Sequence, residues 1–267
     1  MKKILLLSLL ALAVISCEKL QTEGIVDPET KKEEIQDATP NQDSSSDLAS
    51  KTETETKTKK LKVGVIGDSI STFKDVIPVG HAYYYPNGDV TDWTHTYWAL
   101  LINEYWDAEL DMNCSYSGGC VTPRTGIDPT TDYVTRCEYF NDPDIILLHG
   151  GTNDRIQKVG LGALDFASPL ESLDMVGRFR ESYIAVIRKM QAKYPDALII
   201  CIIGTWVEDD YGHSVKAIAE YFDLPYVDFR GDKEVTAVSG SHPDKAGMAH
   251  MAKKIYETTK SVVDSIK

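Results

Sequence analysis

The chain lacks the features that mark a nucleic-acid binder, a membrane-spanning protein or a metal protein. Lys and Arg number 28 against 41 Asp and Glu in 267 residues, a formal net charge of −13. Without a basic stripe there is no electrostatic footprint for a phosphate backbone, which argues against nucleic acid as a partner. The same acidity disfavours strongly anionic substrates. An apolar run long enough to cross a bilayer is also missing. The run from Ile4 to Ile15 falls short of the ~20 residues that a spanning helix needs. The five cysteines form no Cys-x-x-Cys pair and no Cys/His metal spacing. No motif implies a metal or an organic cofactor.

What stands at the N-terminus is "MKKILLLSLLALAVISC", a basic start, a short apolar core and small Ser16 before Cys17. This reads as a secretory signal over residues 1–16. Its end, "VISC", resembles the lipobox of bacterial lipoproteins, which implies cleavage before Cys17 and a lipid on that sulfur. Residues 17–60 follow, with "KKEEIQDATPNQDSSSDLASKTETETKTKK" almost free of large apolar side chains and without periodicity. Such a segment buries too little surface to offset its ordering entropy and is expected to be a flexible tether. The expectation is an exported chain attached to a bacterial membrane by its lipid alone, on the periplasmic or cell-surface face. Residues 61–267 are the right length for one domain with a proper core. Within them Cys201 lies in an apolar run, as a buried thiol does. Export permits a disulfide of Cys120 with Cys137 or Cys114, and the sequence leaves that open.

The domain alternates strand and helix. "LKVGVIGDS" is a short β-branched run that ends in a turn. "DWTHTYWALLINEYW" has helical spacing, with Thr91 or Asp92 as its cap. "AELDMNCSYSGG" is a second strand, and "PDIILLHGGTND" a third that is apolar throughout, as a strand covered on both faces must be. "LESLDMVGRFRESYIAVIRKMQAKYP" is expected to be one long helix stopped by Pro195. "ALIICIIGTW", "GHSVKAIAEYFDL", "PYVDFR" and "PDKAGMAHMAKKIYETTKSVVDSI" continue as strand, helix, strand and helix. This order predicts an α/β fold, a three-layer sandwich with a five-stranded, mostly parallel sheet and helices on both faces. In such sheets ligands bind beyond the carboxyl ends of the strands. "GDS", "SYSGG", "GGTND" and "SGSHP" all fall at that rim.

These four blocks, in this order, resemble the SGNH hydrolase superfamily, also called the GDSL family, over nearly all of residues 61–267. The resemblance implies a flavodoxin-like fold and an ester hydrolase. It assigns Ser69 of "GDSIS" as nucleophile, on a sharp strand-to-helix turn near a helix N-terminus. It assigns Gly118 of "NCSYSGG" and Asn153 of "GGTND" as oxyanion donors, through a backbone and a side-chain N–H. It makes the backbone N–H of Ser69 a third donor. It assigns His242 of "SGSHP" as the general base. Ser71 reads as a turn or cap hydroxyl, and Asp68 as a turn former. Among the six histidines, His81 and His95 belong to an aromatic loop, and His149 ends a buried strand, where a packed and hydrogen-bonded side chain is expected. His213 starts a helix, and His250 lies inside the last one.

The family's fourth block is Asp-x-x-His, and here the position three before His242 is Ser239. Three replacements are open. The Ser239 hydroxyl could support the imidazole, a backbone carbonyl could accept its Nδ1 proton, or a carboxylate such as Asp232 or Glu234 could fold back. Asp244, just after Pro243, is a further candidate, although an acid there suits the start of the last helix. Tyr83, Tyr84, Tyr85 and Trp93, between the nucleophile turn and the first helix, suit stacking on sugar rings or packing on acyl chains, and equally suit covering the sheet's core. The substrate expected is a small ester or an acylated glycan. A lipase, a thioesterase and a non-catalytic glycan-binding lipoprotein remain alternatives.

Overall fold

The computed structural model describes residues 59–267. The signal segment, Cys17 and the tether up to residue 58 lie outside the described residues. The elements run β1 (Lys62–Gly67), α1 (Tyr97–Leu100), β2 (Glu109–Asn113), α2 (Tyr133–Arg136), β3 (Ile145–His149), α3 (Thr152–Ile156) and α4 (Phe179–Lys193). They continue with β4 (Leu198–Ile203), α5 (Asp209–Tyr221), β5 (Tyr226–Asp228), β6 (Ala237–Ser239), β7 (His242–Pro243) and α6 (Lys245–Asp264).

β1 to β5 form one sheet in the order β2-β1-β3-β4-β5, with every pairing parallel. This is the doubly wound, flavodoxin-like arrangement. The chain order reverses between β1 and β3, so the loops leaving these strands diverge and open a crevice at their carboxyl ends. Strand periodicity divides the core. Val63, Val65, Ile145, Leu147, Ile200 and Ile202 face one layer, where α1 and α6 pack. Ile66, Ile146, Leu148, Ile199, Cys201 and Ile203 face the other, where α2, α4 and α5 pack. β3 is buried at every residue, as its unbroken apolar sequence requires.

Two helices differ from expectation. The helical segment around α1 starts tight and ends wide: a 3-10 turn at Trp93–His95, capped by Asp92, precedes α1, and a π-helical turn at Leu101–Trp106 follows it. The long helix expected from Leu170 begins only at Phe179. Gly177 is left-handed (φ 67°), and neighbouring N–H groups bond to other loops instead of to a preceding turn. Gly177 N donates to Pro123 O at 3.1 Å and Phe179 N to Gly160 O at 2.8 Å. Cys114, Cys120, Cys137 and Cys201 are all buried free thiols, so neither disulfide left open by the sequence is formed. Among the described residues no helix is long and apolar enough to cross a membrane.

Candidate active site

β1 ends at Gly67, where a Cβ would overlap the Ser71 side chain, so only glycine permits the tight exit. Asp68 then caps the 3-10 turn Ser69–Ser71, its Oδ1 accepting the Ile70 N–H at 3.0 Å. Burial pushes the Asp68 carboxyl up to about 6, against the opposing pull of the Ile70 N–H. Ser71 is buried and bonded to the Tyr97 hydroxyl at 2.8 Å, which removes it as a rival nucleophile. Ser69 is left at the rim.

Opposite stands the β6–β7 hairpin, whose register pairs Ser239 with His242. His242 Nε2 lies 2.8 Å from Ser69 Oγ. Its Nδ1 lies 3.2 Å from the Ser239 carbonyl oxygen. A carbonyl only accepts, so Nδ1 carries the proton and Nε2 is bare, free to accept the Ser69 O–H. The imidazole is half-buried. Burial pulls its pKa below the ordinary histidine value, and the Ser239 carbonyl offsets part of that. The ring is therefore a neutral acceptor at neutral pH.

None of the side chains named as its support touches it. The Ser239 hydroxyl turns away to the Tyr84 hydroxyl at 2.9 Å. Asp232 pairs with His250 at 3.0 Å and with Lys254 at 2.7 Å. Burial, which raises the Asp232 pKa, is outweighed by those two partners, and the carboxylate is held at about 2. Glu234 also faces His250, at 3.2 Å. Asp244 caps α6 through the Gly247 N–H at 2.8 Å and takes the Thr236 hydroxyl at 2.6 Å. Of the arrangements left open by the sequence, the geometry is that of the backbone carbonyl.

The sequence leaves the tyrosines open between substrate and core, and the structure gives Tyr84 to the histidine and Tyr85 to the core beneath its hairpin. The Tyr84 ring stacks flat on His242, with centroids 3.6 Å apart and planes 8° apart. Tyr85 is fully buried and donates its O–H to the Pro243 carbonyl at 2.6 Å. Asp89 of the same loop accepts the Lys245 N–H at 3.0 Å. Together they clamp the hairpin and the start of α6, so the fold places the imidazole without a carboxylate. Tyr83 remains 49 % exposed, and Trp93 stacks on Trp98 with centroids 5.8 Å apart.

The other two blocks meet on the neighbouring strand ends. Gly67 and His149 are paired in the β1–β3 register, so the turns that follow them leave the sheet side by side. Gly118 is exposed with φ 81°, a left-handed conformation that glycine supplies without strain. Asn153 Nδ2 donates one hydrogen to Gly119 O at 3.0 Å, which ties the third block to the second and leaves its other N–H available. Asp154, fully buried, reinforces the tie by accepting the Val121 and Thr122 N–H groups at 2.8 and 3.1 Å. Below lies Arg136, buried, reaching the carbonyls of Cys114 and Thr131.

The remaining histidines fall away from the pair. His149 is packed as expected but has no hydrogen-bond partner on either ring nitrogen, and burial pushes it down to about 4. His81 Nδ1 is at 2.9 Å from the Ser115 carbonyl, and His213 is exposed on α5. Among the described residues no group of three or more His, Cys, Asp or Glu side chains could hold a metal ion. Sequence reasoning also passed over Trp206, exposed just beyond the carboxyl end of β4. The signal was there: "GTW" ends a buried strand at the ligand-binding rim.

Fold and site together define a class: a doubly wound α/β protein with a serine–imidazole pair at the switch point of its sheet. The family model of the GDSL-like lipases and acylhydrolases matches residues 61–259, and the chain belongs to that family of ester hydrolases. A Bacteroides uniformis protein described as a GDSL-like lipase is 26% identical, with a TM-score of 0.66 over 76% of this chain and 96% of that one. One from Bacteroides ovatus, described in the same words, is 23% identical, with a TM-score of 0.68 over 76% and 99%. A family two carbohydrate esterase of Clostridium thermocellum, in complex with cellohexaose, shares the fold at 19% identity and a TM-score of 0.51, over 77% and 66%. No curated protein matches the chain.

Proposed function

We propose that the chain is a serine esterase that hydrolyses carboxylic esters through an acyl-enzyme, with acylated carbohydrates as its substrates. The observation that carries the reading is the 2.8 Å approach of Ser69 Oγ to His242 Nε2. Ser69 Oγ attacks the ester carbonyl carbon as its proton passes to Nε2, and the carbonyl π electrons move onto oxygen. The N–H groups of Ser69 and Gly118 and the free N–H of Asn153 receive that oxyanion. Its collapse breaks the bond to the alcohol oxygen, which takes the proton from Nε2. Water, deprotonated by the same nitrogen, then attacks the acyl-enzyme. The acid leaves and the proton returns to Ser69. Throughout, the Ser239 carbonyl holds Nδ1–H and so fixes which nitrogen does the work.

The carbohydrate part rests on the likeness of fold to carbohydrate esterases and on the exposed aromatic side chains at the rim. Export, with a lipid on Cys17 and the 17–60 segment as tether, completes the reading. It would hold the enzyme at a membrane whose surroundings supply polymeric glycans. Purified protein is to be incubated with p-nitrophenyl acetate and with acetylated polysaccharides, beside a Ser69→Ala control. Acid release in excess of the control supports the reading, and turnover equal to the control overturns it. Labelling of expressing cells with a tagged fatty acid, lost in Cys17→Ala, tests the anchor.

A further inference from the structure

Bordering the hairpin that carries His242 lies a cleft of about 440 Å³, lined by Arg155, Thr205, Trp206, Glu208, Asp232 and Lys233 among others. It occupies the carboxyl ends of β4 and β5, at the same rim as the pair, and none of its residues enters the mechanism above. Both of its flanks are tied to the catalytic turns. On one side the six-membered ring of Trp206 comes to 3.8 Å of the Cβ position of Gly240, in the turn between Ser239 and His242. On the other, Arg155 follows Asn153 by two residues on α3.

We infer that this cleft binds the alcohol half of the ester as a neutral pyranose, stacked on the face of Trp206. The inference rests on the serine esterase reading and adds where, and by what, the sugar is held. Three observations converge. First, the leaving alcohol must come within reach of His242 Nε2 to take its proton, and the cleft borders the hairpin that carries that ring. Second, Trp206 is 41% exposed, a large rigid ring left in solvent at a ligand-binding rim. The C–H face of a pyranose covers such a ring at little entropic cost. Third, the polar lining suits hydroxyl groups better than net charge. Arg155 is already paired with Glu208 at 3.1 Å and Asp209 at 3.5 Å. Asp232 is paired with His250 and Lys254. Pre-paired cations and carboxylates offer donors and acceptors fixed in direction, while a uronate or sulfate would have to displace a partner. Lys233, which has no ion-pair partner among the described residues, adds one cation against the acidity of the whole chain.

Direct binding tests the cleft without depending on turnover. Tryptophan fluorescence of the Ser69→Ala protein is to be titrated with cellohexaose, xylohexaose and mannohexaose, none of them acylated. The same titration is repeated with Trp206→Ala and Trp206→Phe added. Saturable binding of at least one oligosaccharide is expected, weakened about tenfold by Trp206→Ala and less by Trp206→Phe, from the loss of one buried ring face. Isothermal calorimetry on the same proteins reads the affinity where fluorescence loses its reporter. In the Ser69 protein, Trp206→Ala is expected to lower kcat/KM about tenfold on acetylated oligosaccharides. Ethyl acetate, too small to reach the ring, is expected to change less than about twofold. Absence of binding to every oligosaccharide, or binding unaffected by Trp206→Ala, would overturn the inference. So would an equal loss on both esters. Sugar binding that depends on Trp206 in a protein with no Ser69-dependent turnover would support the cleft and refute the esterase reading instead.

Discussion

If the imidazole is held by a backbone carbonyl and a stacked ring, then no single carboxylate should matter to the chemistry. Asp232→Asn, Asp244→Asn and Ser239→Ala alter three of the side chains that the sequence offers as supports for His242. In a triad, spoiling the acid that sets the histidine tautomer costs about 10⁴ in rate. Here Ser239→Ala removes one exposed neutral hydrogen bond, to Tyr84, of about 0.5–1.5 kcal/mol, and keeps the carbonyl that meets Nδ1. The rate should fall by less than about tenfold. Asp244→Asn weakens the α6 cap, which costs up to about 1 kcal/mol of stability and leaves the imidazole in place. Asp232→Asn weakens the pairing with His250 and Lys254, neither of which hydrogen-bonds to His242 among the described residues. Steady-state kcat/KM on p-nitrophenyl acetate, with a thermal midpoint for each variant, reads the two effects separately. A fall of 10³ or more in either carboxylate variant, with its midpoint unchanged, would refute the dyad.

Further outcomes follow from the same geometry. Because burial lowers the His242 pKa from 6.5, the acid limb of kcat/KM should inflect below that value, since activity is lost as the falling pH protonates the base; a pH–rate profile inflecting at or above 7 contradicts this. Asn153→Ala should cut kcat by about 10²–10³ with little change in KM, checked by steady-state kinetics at saturating ester. Tyr84→Ala should slow kcat by roughly two- to tenfold, matching about 0.5–1.5 kcal/mol for a stacked aromatic pair, and Tyr84→Phe should restore most of it. Arg136→Met leaves the carbonyls of Cys114 and Thr131 without their donor in a buried place, and should lower the unfolding free energy by about 1–3 kcal/mol in a urea titration.

The family, the fold class and the order of the four blocks could be read from the sequence because each is encoded locally. A β-branched run ending in Gly-Asp-Ser makes its own turn, and an unbroken "IILL" bounded by turn residues suits a strand covered on both faces. Alternation of such strands with amphipathic runs leaves few topologies, and the observed parallel order is one of them. The start of α4 was misread for the opposite reason. "LESLDMV" has helical spacing, but its neighbours' N–H groups find carbonyls on Gly160 and Pro123, partners that no local window contains.

The sequence by itself names the candidate side chains: Ser69, Asn153 and His242 come from their blocks, and the structure brings the first and last to 2.8 Å across 173 positions of chain. Only the tertiary structure decided what holds the histidine, because a backbone carbonyl has no residue identity to read and the Tyr84 stack joins segments far apart in sequence. It likewise decided that Tyr85 is core and that Trp206 is surface. Exposure is a property of what packs on a ring, and that is settled by the fold rather than by the ring's neighbours along the chain.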